Sequence, residues 1–289
     1  QVTPPDDAED ADAEGAGDGD GDAGEVGDGG TSFTLDHITV CAYGVMGLNN
    51  LGQRKGVDPA AAVAERFVLV DPAGLQYVRN GRRGAAGVSQ VLYDWLGWGP
   101  DGQFPRGVAN RLASEGDAAF YTYPANVSSV NGPADFAAQG RDARIIHVIS
   151  PQLHQREGAQ VVDALAAAYT QVFREAGLAG LGATGVLRLS VLSANVNAGD
   201  WRDDISAVTV LALVQAASNV MEMDEVYART LLQGRVELCA FSDRAATKLN
   251  QMLRRWRPGA TVQTLVSGGV PRLRQRPRIA AGRPQQARP

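Results

Sequence analysis

The sequence contains few of the residues that build metal centres and disulfide frameworks. Only two cysteines and three histidines occur among 289 residues, which disfavours a zinc site or a disulfide scaffold. Cys41 and Cys239 both lie in apolar, strand-like runs, so we expect them to be buried thiols. No uninterrupted apolar stretch approaches about eighteen residues, and no signal segment is evident. These absences predict a reduced, cytoplasmic protein with no membrane segment, metal or cofactor.

Each end of the chain lacks charge of one sign. The first thirty residues contain eleven Asp or Glu and no Lys or Arg, whereas residues 244–289 contain eleven Lys or Arg and no acid. The two ends cancel, so residues 31–243 carry the whole net charge of −5. We predict an acidic disordered segment at 1–30, one domain at 31–257 and a disordered Arg/Pro-rich tail at 258–289. Solvated tails are one interpretation, and an electrostatic arm is the other.

Apolar runs alternate with helix-spaced apolar positions in the second half of the chain. A strand-like run at 144–149, closed by a small residue and a proline, leads into a helical pattern at 161–173. A second run at 186–192 leads through a small, polar turn at 193–199 into a helical pattern at 205–218. This order predicts the α/β class, in which helices cover a largely parallel sheet.

Three of these segments together resemble one known family. The strand end His147 to Pro151, the loop Ser193-Ala194-Asn195-Val196-Asn197 and a closing strand and helix from 236 to 253 resemble a macro domain, the ADP-ribose-binding module. The resemblance covers residues 35–256. It implies a three-layer α/β/α sandwich around a mixed sheet, with a ligand site outside the carboxyl ends of the strands.

The resemblance also implies binding positions, several of which depart from the family pattern. Gly44-Val45-Met46 stands in place of Gly-Asp-Ile, so the acid that accepts from the adenine amine is missing. Asp71-Pro72-Ala73-Gly74 stands in place of Asn-Ala-Ala-Asn, so two ribose-contacting amides are also missing. Asp71 is the candidate catalytic residue, because it can orient a water molecule or a ribose hydroxyl at a strand end. A turn residue before Pro72 is the alternative interpretation.

Two glycine- or alanine-containing turns are the candidate diphosphate contacts. Gly84-Ala85-Ala86-Gly87-Val88 opens a helix and resembles the family's Gly-Gly-Gly-Val turn, where backbone N–H groups approach a phosphate. The loop from Ser193 to Asn197 resembles the second phosphate loop, with Ala194 and Asn197 where the family has glycine. The predicted ligand-binding residues are therefore Val45, Gly74, Gly84, Ala85, Ala86, Gly87, Val88, Ser193, Ala194, Asn195, Val196 and Asn197.

Other candidate residues have a functional and a structural interpretation each. Arg82 and Arg83 precede the first turn and either contact phosphate or form a solvated turn. Trp201 follows the second loop and either forms a wall for an adenine ring or packs against the core. His147 lies among isoleucines and valines, which favours a satisfied core histidine over a functional one.

Three functions agree with these observations. The first is binding of ADP-ribose, a related nucleotide or an ADP-ribosylated protein. The second is hydrolysis of a mono-ADP-ribosyl bond or of ADP-ribose-1″-phosphate, with Asp71 in the catalytic role. The third is a degenerate macro domain that binds RNA through the Arg-rich tail, or binds a protein. Because the chain begins with Gln1 and has linker-like flanks, we expect a piece of a longer polypeptide, and a viral replication polyprotein in host cytoplasm is one such setting.

Overall fold

Six strands form one mixed sheet at the centre of the computed structural model. The structure describes residues 38–59, 67–124, 142–181, 184–223 and 234–267. The strands are β1 (Ile38–Cys41), β2 (Phe67–Asp71), β3 (Ala118–Tyr123), β4 (Ala143–Val148), β5 (Val186–Ser190) and β6 (Arg235–Cys239). Their order across the sheet is β1-β6-β5-β2-β4-β3.

All neighbouring strands run parallel except the last pair. β3 lies antiparallel to β4 at one edge, with Phe120 opposite Ile146, and β1 forms the other edge by pairing with β6. The central strands β2 and β5 are buried at every position. Strands covered on both faces need continuous apolar runs, and both sequences supply them apart from a few polar residues. Asp71 and Ser190 are the last residues of their strands, and Arg188 lies in the middle of β5.

Helices cover both faces of the sheet and complete a three-layer α/β/α sandwich. The helices are α1 (Leu75–Asn80), α2 (Gly87–Trp95), α3 (Arg106–Ala109), α4 (Gly158–Leu178), α5 (Ile205–Met223), α6 (Asp243–Arg255) and α7 (Val262–Ser267). One core lies between the sheet and helices α4 to α7, and the other lies beneath α1 to α3 and the chain after β1. The predicted fold class is confirmed.

The long helix α5 belongs to the first of these cores. It is apolar and long enough to cross a membrane, with a mean hydropathy of 1.4. Here it packs against α4, and Val208, Leu213 and Val220 are fully buried in the first core. The apolar composition of α5 is explained by this position in the core.

Several segment boundaries differ from the sequence-based expectations. The apolar sequence from Pro59 to Arg66 also predicts a helix, and beyond Pro59 this segment lies outside the described residues. Strand β3 and the short helices α1 and α3 were not predicted. The folded part also continues beyond 257, because Leu265 of α7 is only 1% exposed and packs in the first core.

Candidate functional site

The loops that follow β2, β4 and β5 are joined at the carboxyl edge of the sheet. The Ser150 amide donates to the carbonyl of Ala73 at 3.2 Å, and the Leu153 amide donates to the carbonyl of Asn197 at 2.8 Å. The Ser193 hydroxyl donates to the carbonyl of Pro151 at 2.6 Å. The structure therefore brings the predicted strand end His147 to Pro151 next to the predicted loop 193–197. Gly74, at the start of α1, lies half-buried at the same edge.

The turn before α2 presents unpaired backbone donors. Gly84 and Gly87 both adopt left-handed backbone conformations, with φ of 81° and 62°. A Cβ atom added at either glycine would meet no atom within 4 Å, so this side of the turn is open. Ala86 is the N-cap and offers no side-chain acceptor to the first helical N–H groups. Helix N-termini without caps carry partial positive charge and favour anions.

The turn itself is held in place by one aromatic side chain. The Tyr77 hydroxyl in α1 donates to the carbonyl of Gly84 at 3.0 Å. Ala86 and Gly87 are exposed, whereas Ala85 and Val88 are half-buried. The Ala85 N–H donates to the carbonyl of Arg82 at 2.9 Å. The predicted first turn is thus a fixed loop that exposes Ala86 and Gly87 at the start of α2.

The second loop, 193–199, is partly exposed and partly anchored. Asn195 and Val196 are exposed, with Val196 at 80%, while Ala194 and Asn197 are half-buried. The left-handed conformations fall at Ser193 and Gly199, with φ of 56° and 53°, rather than at Asn197. The His154 ring contacts this loop through Nε2, which lies 2.9 Å from the carbonyl of Val196.

Asp71 is enclosed in a buried polar network. Its carboxylate accepts from the Ser89 hydroxyl at 2.6 Å and from the Tyr93 hydroxyl at 2.8 Å. Its Oδ2 also lies 2.7 Å from His147 Nδ1, and His147 Nε2 lies 2.8 Å from the Tyr123 hydroxyl. If Nδ1 donates to Asp71, Nε2 is free to accept from the Tyr123 hydroxyl, so both contacts are satisfied. Burial, followed by the charge of Asp71, raises the pKa of both Tyr93 and Tyr123, so both hydroxyls stay protonated.

This network bears on the predicted role of Asp71. The side chain is 0% exposed and both of its oxygens already accept hydrogen bonds from the protein. The carboxylate therefore faces the interior in this structure, and a catalytic role for Asp71 stays a prediction. His147 is the satisfied core histidine that the sequence favoured. Ser89 and Tyr93 were missed, although their spacing of four residues on α2 places them on one helix face.

Val45 also lies in the interior rather than in a binding site. Its side chain is 2% exposed, and its carbonyl accepts a hydrogen bond from Arg188 at 3.0 Å. Arg188 is fully buried and pairs with Glu237 at 2.7 Å, between the rings of Phe67 and Tyr43. Burial raises the pKa of Glu237, but the hydrogen bonds from Arg235 and Arg188 outweigh it and hold that pKa below its ordinary value. The predicted contact of Val45 with a ligand is therefore not formed by its side chain.

Three further candidates are occupied by contacts within the protein. Arg82 donates to the carbonyl of Trp98 at 2.6 Å and pairs with Asp94, so its guanidinium is occupied by contacts within the domain. Arg83 pairs with Asp101 at 3.0 Å at the exposed surface. Trp201 is half-buried, and its indole N–H donates to the carbonyl of Arg156 at 3.1 Å. The packing interpretation of Trp201 agrees with this position.

Exposed apolar side chains surround the same edge. Leu51 is 73% exposed, Val196 80% and Phe241 50%, and each lies in a segment that follows a strand of the sheet. The loops of Leu51 and Phe241 are joined, because the Asn50 amide donates to the carbonyl of Phe241 at 3.1 Å. Phe241 was not predicted. The sequence feature that could have identified it is an aromatic residue directly before Ser242, the N-cap of α6.

A cavity of about 350 Å³ lies elsewhere, between α4 and the start of β3. Arg111, Asp117, Arg174 and Glu175 line it, and Arg111 pairs with Glu175. The charges in this cavity balance, and none of its lining residues belongs to the turns at 84–88 or 193–199. Among the described residues, no group of His, Cys, Asp and Glu is arranged to hold a metal ion. Burial raises the pKa of the Cys41 and Cys239 thiols, as expected for inert cysteines.

Comparisons with known proteins give matches at the level of structure. No family model matches the sequence, and no curated protein matches it. A mutant macrodomain of Oceanobacillus iheyensis is similar with a TM-score of 0.44 and 16% identity, over 75% of this chain and 89% of that one. Another mutant of this macrodomain, solved with ADPR, is similar with a TM-score of 0.41 and 16% identity, over 65% of this chain and 84% of that one. The chain is similar to macro domains.

A viral structure shows the same kind of similarity. Three main domains of nonstructural protein 3 from a coronavirus give a TM-score of 0.38 at 15% identity, over 76% of this chain and 36% of that one. Within this chain, the two turns predicted from the macro-domain resemblance both lie at the carboxyl edge. The positions predicted to contact adenine and to catalyse, Val45 and Asp71, are buried instead.

Proposed function

We propose that this chain is a divergent macro domain that binds ADP-ribose or a related nucleoside diphosphate. The observation that carries the proposal is the open, uncapped N-terminus of α2 at the carboxyl edge, formed by Gly84 to Val88. The loop 193–199 lies at the same edge of the sheet. The similarity to a macrodomain structure solved with ADPR agrees with this ligand class.

The diphosphate is the part of the ligand that the described residues suit best. Helix α2 has nine residues, and its first N–H groups have no side-chain cap. A phosphate at this position accepts from backbone donors and is stabilised by the helix dipole. The left-handed Gly84 and Gly87 keep Cβ atoms out of the space that the phosphate needs.

The described residues offer fewer polar contacts to the nucleoside than to the diphosphate. Val45 supplies no acceptor for an adenine amine, and Asp71 is enclosed. We therefore propose that affinity depends mainly on the diphosphate, so that ADP and ADP-ribose bind similarly while AMP binds weakly. The exposed Leu51, Val196 and Phe241 support an apolar contact with the nucleoside or with an ADP-ribosylated protein.

Hydrolysis of ADP-ribosyl bonds is the second candidate, and the structure gives it less support. This reaction would need Asp71 to orient a water molecule, but its carboxylate accepts hydrogen bonds from Ser89, Tyr93 and His147 instead. We propose binding without turnover as the activity of this domain.

Calorimetric titration of the full chain with ADP-ribose, ADP and AMP tests the proposal. We expect micromolar binding of the first two ligands and at least about tenfold weaker binding of AMP, equivalent to about 1.4 kcal/mol. An Ala194→Glu variant places a carboxylate beside the proposed diphosphate and should abolish binding. Asn250→Glu adds the same charge on the exposed side of α6 and should bind normally.

Two results would contradict the proposal. One is the absence of heat with all three ligands for a chain that melts cooperatively. The other is unchanged affinity in a folded Ala194→Glu protein, which would remove loop 193–199 from the site. Release of ADP-ribose from a mono-ADP-ribosylated substrate would instead favour the hydrolase.

A further inference from the structure

The exposed side of α6 carries positive charge that no acid among the described residues neutralises. Arg244, Lys248 and Arg254 are exposed, and none of them forms an ion pair within the described residues. Asp243 is the helix's single acid. An excess of cations on one helix face attracts anionic partners.

The helical spacing collects these cations into a stripe. Arg244, Lys248 and Arg254 are separated by four and six residues, so all three lie on the side of the helix that faces away from the core. The opposite side packs into the core through Ala246, Leu249 and Met252. The stripe spans ten steps of the helix, or about 15 Å at 1.5 Å per residue. That length matches about five phosphates at 3.4 Å per nucleotide of a stacked strand.

An aromatic ring lies at the amino-terminal end of this stripe. Phe241 precedes the N-cap Ser242 and is 50% exposed, although it is a large apolar side chain. It adopts a left-handed conformation, with φ of 62°, which a bulky residue rarely does. Its ring lies against Gly44, where an added Cβ would come within 3.1 Å of Phe241 Cδ2. The backbone and Gly44 thus hold an exposed ring in a fixed place.

We propose that Phe241 and the exposed face of α6 form a binding surface for single-stranded RNA. The cations of α6 contact successive phosphates, and one base stacks on the Phe241 ring. A cationic track combined with an aromatic platform suits a single strand, because stacking and phosphate contacts are both independent of sequence. An acidic protein would form ion pairs with the cations, but these pairs do not require an exposed aromatic ring. The sequence after Ser267 adds six arginines and no acid, which extends the same charge along the chain.

Fluorescence anisotropy with the full chain and a labelled single-stranded RNA of about twelve nucleotides tests this surface. The double variant Arg244→Glu/Lys248→Glu should weaken binding at least about tenfold. The slope of log affinity against log salt should also fall by about 1.4, because each phosphate contact contributes about 0.7 for a single strand. Arg79→Glu/Arg106→Glu makes the same change in net charge on α1 and α3 and is the matched control.

Comparison of the two double variants decides whether α6 is involved. Equal losses would show that only net charge matters, and no loss in either would place binding elsewhere, for example in the sequence after 267. Both results overturn the proposal for α6. Titration of the same variants with ADP-ribose distinguishes this surface from the proposed nucleotide site, because Arg244 and Lys248 lie outside that site and their replacement should leave ADP-ribose affinity unchanged.

Substitution of Phe241 separates RNA from an acidic protein partner. Phe241→Leu should weaken RNA binding about fivefold or more through loss of stacking, and Phe241→Tyr should retain it. Thermal melts of each variant check that the domain stays folded. If a polyglutamate peptide binds as tightly as the RNA and is equally insensitive to Phe241→Leu, the surface binds acidic protein instead.

Discussion

At the scale of single residues, two acids in the interior are each held by several donors. Asp71 and Glu237 are both 0% exposed, and each accepts hydrogen bonds from more than one side chain. The sequence predicted that Asp71 lies at a strand end, and this position is confirmed. Its enclosure depends on Ser89 and His147, which lie 18 and 76 residues away along the chain. A pattern read over a few neighbouring residues cannot reveal contacts between residues so far apart in the sequence.

Replacement of Asp71 should destabilise the fold strongly. Asp71→Ala leaves the hydroxyls of Ser89 and Tyr93 and the N–H of His147 without their acceptor. Each buried unsatisfied group costs about 1–3 kcal/mol, so we expect a total loss of about 3 kcal/mol or more in urea unfolding. Tyr93→Phe removes one donor only and should cost about 1 kcal/mol. If Asp71→Ala were as stable as the parent chain, the buried network would not contribute to stability.

The buried pair of Arg188 and Glu237 should make stability fall in acid. The pKa of Glu237 is lower in the folded chain than its ordinary value. The stabilisation is therefore complete above the unfolded pKa of about 4.3 and is lost as pH falls through the folded pKa. We expect urea midpoints to drop below about pH 4, and Glu237→Gln to flatten this dependence while lowering stability at neutral pH. Glu115→Gln, at a partly exposed ion pair, should leave the pH profile unchanged.

At the scale of helices and strands, long periodic segments were predictable and short ones were not. The strand at 144–149 and the helices α4, α5 and α6 were all predicted, with boundaries that differ from the observed ones by up to five residues. The antiparallel edge strand β3 was not, because Ala118–Tyr123 has a mixed burial pattern that lacks a continuous apolar run. Likewise, α7 was assigned to the disordered tail, because its six residues carry little amphipathic signal.

Helix α7 gives a direct test of the domain boundary. A chain ending at Arg257 loses Leu265, which is 1% exposed, and the hydrogen bond from Arg255 to the carbonyl of Leu265. Burial of a leucine side chain contributes about 1.5–3 kcal/mol, so the shorter chain should unfold at a lower urea concentration. A chain ending at Ser267 should match the full chain. Equal stability of the two truncated chains would place the boundary at 257, as the sequence first suggested.

At the scale of the whole molecule, charge is distributed unevenly along the chain. The acidic residues 1–30 and the basic residues 244–289 carry −11 and +11, which leaves −5 for the rest. The sequence alone predicted this arrangement in full, because charge depends on composition and not on contacts. Which of those charges lie on a folded surface depends on α6, whose burial pattern only the structure provides.

Removal of residues 1–30 should leave folding stability nearly unaltered and change RNA affinity. No apolar run in those residues is long enough to bury a core, so the melting temperature should shift by less than about 2 °C. The net charge changes from −5 to +6 by loss of eleven acids, so RNA affinity should rise at low salt and return toward that of the full chain as salt screens the charge. A chain with the eleven acids changed to Asn and Gln is the matched control and should behave like the deletion. A large fall in melting temperature in the deletion but not in the neutralised chain would instead show that residues 1–30 stabilise the domain through contacts other than charge.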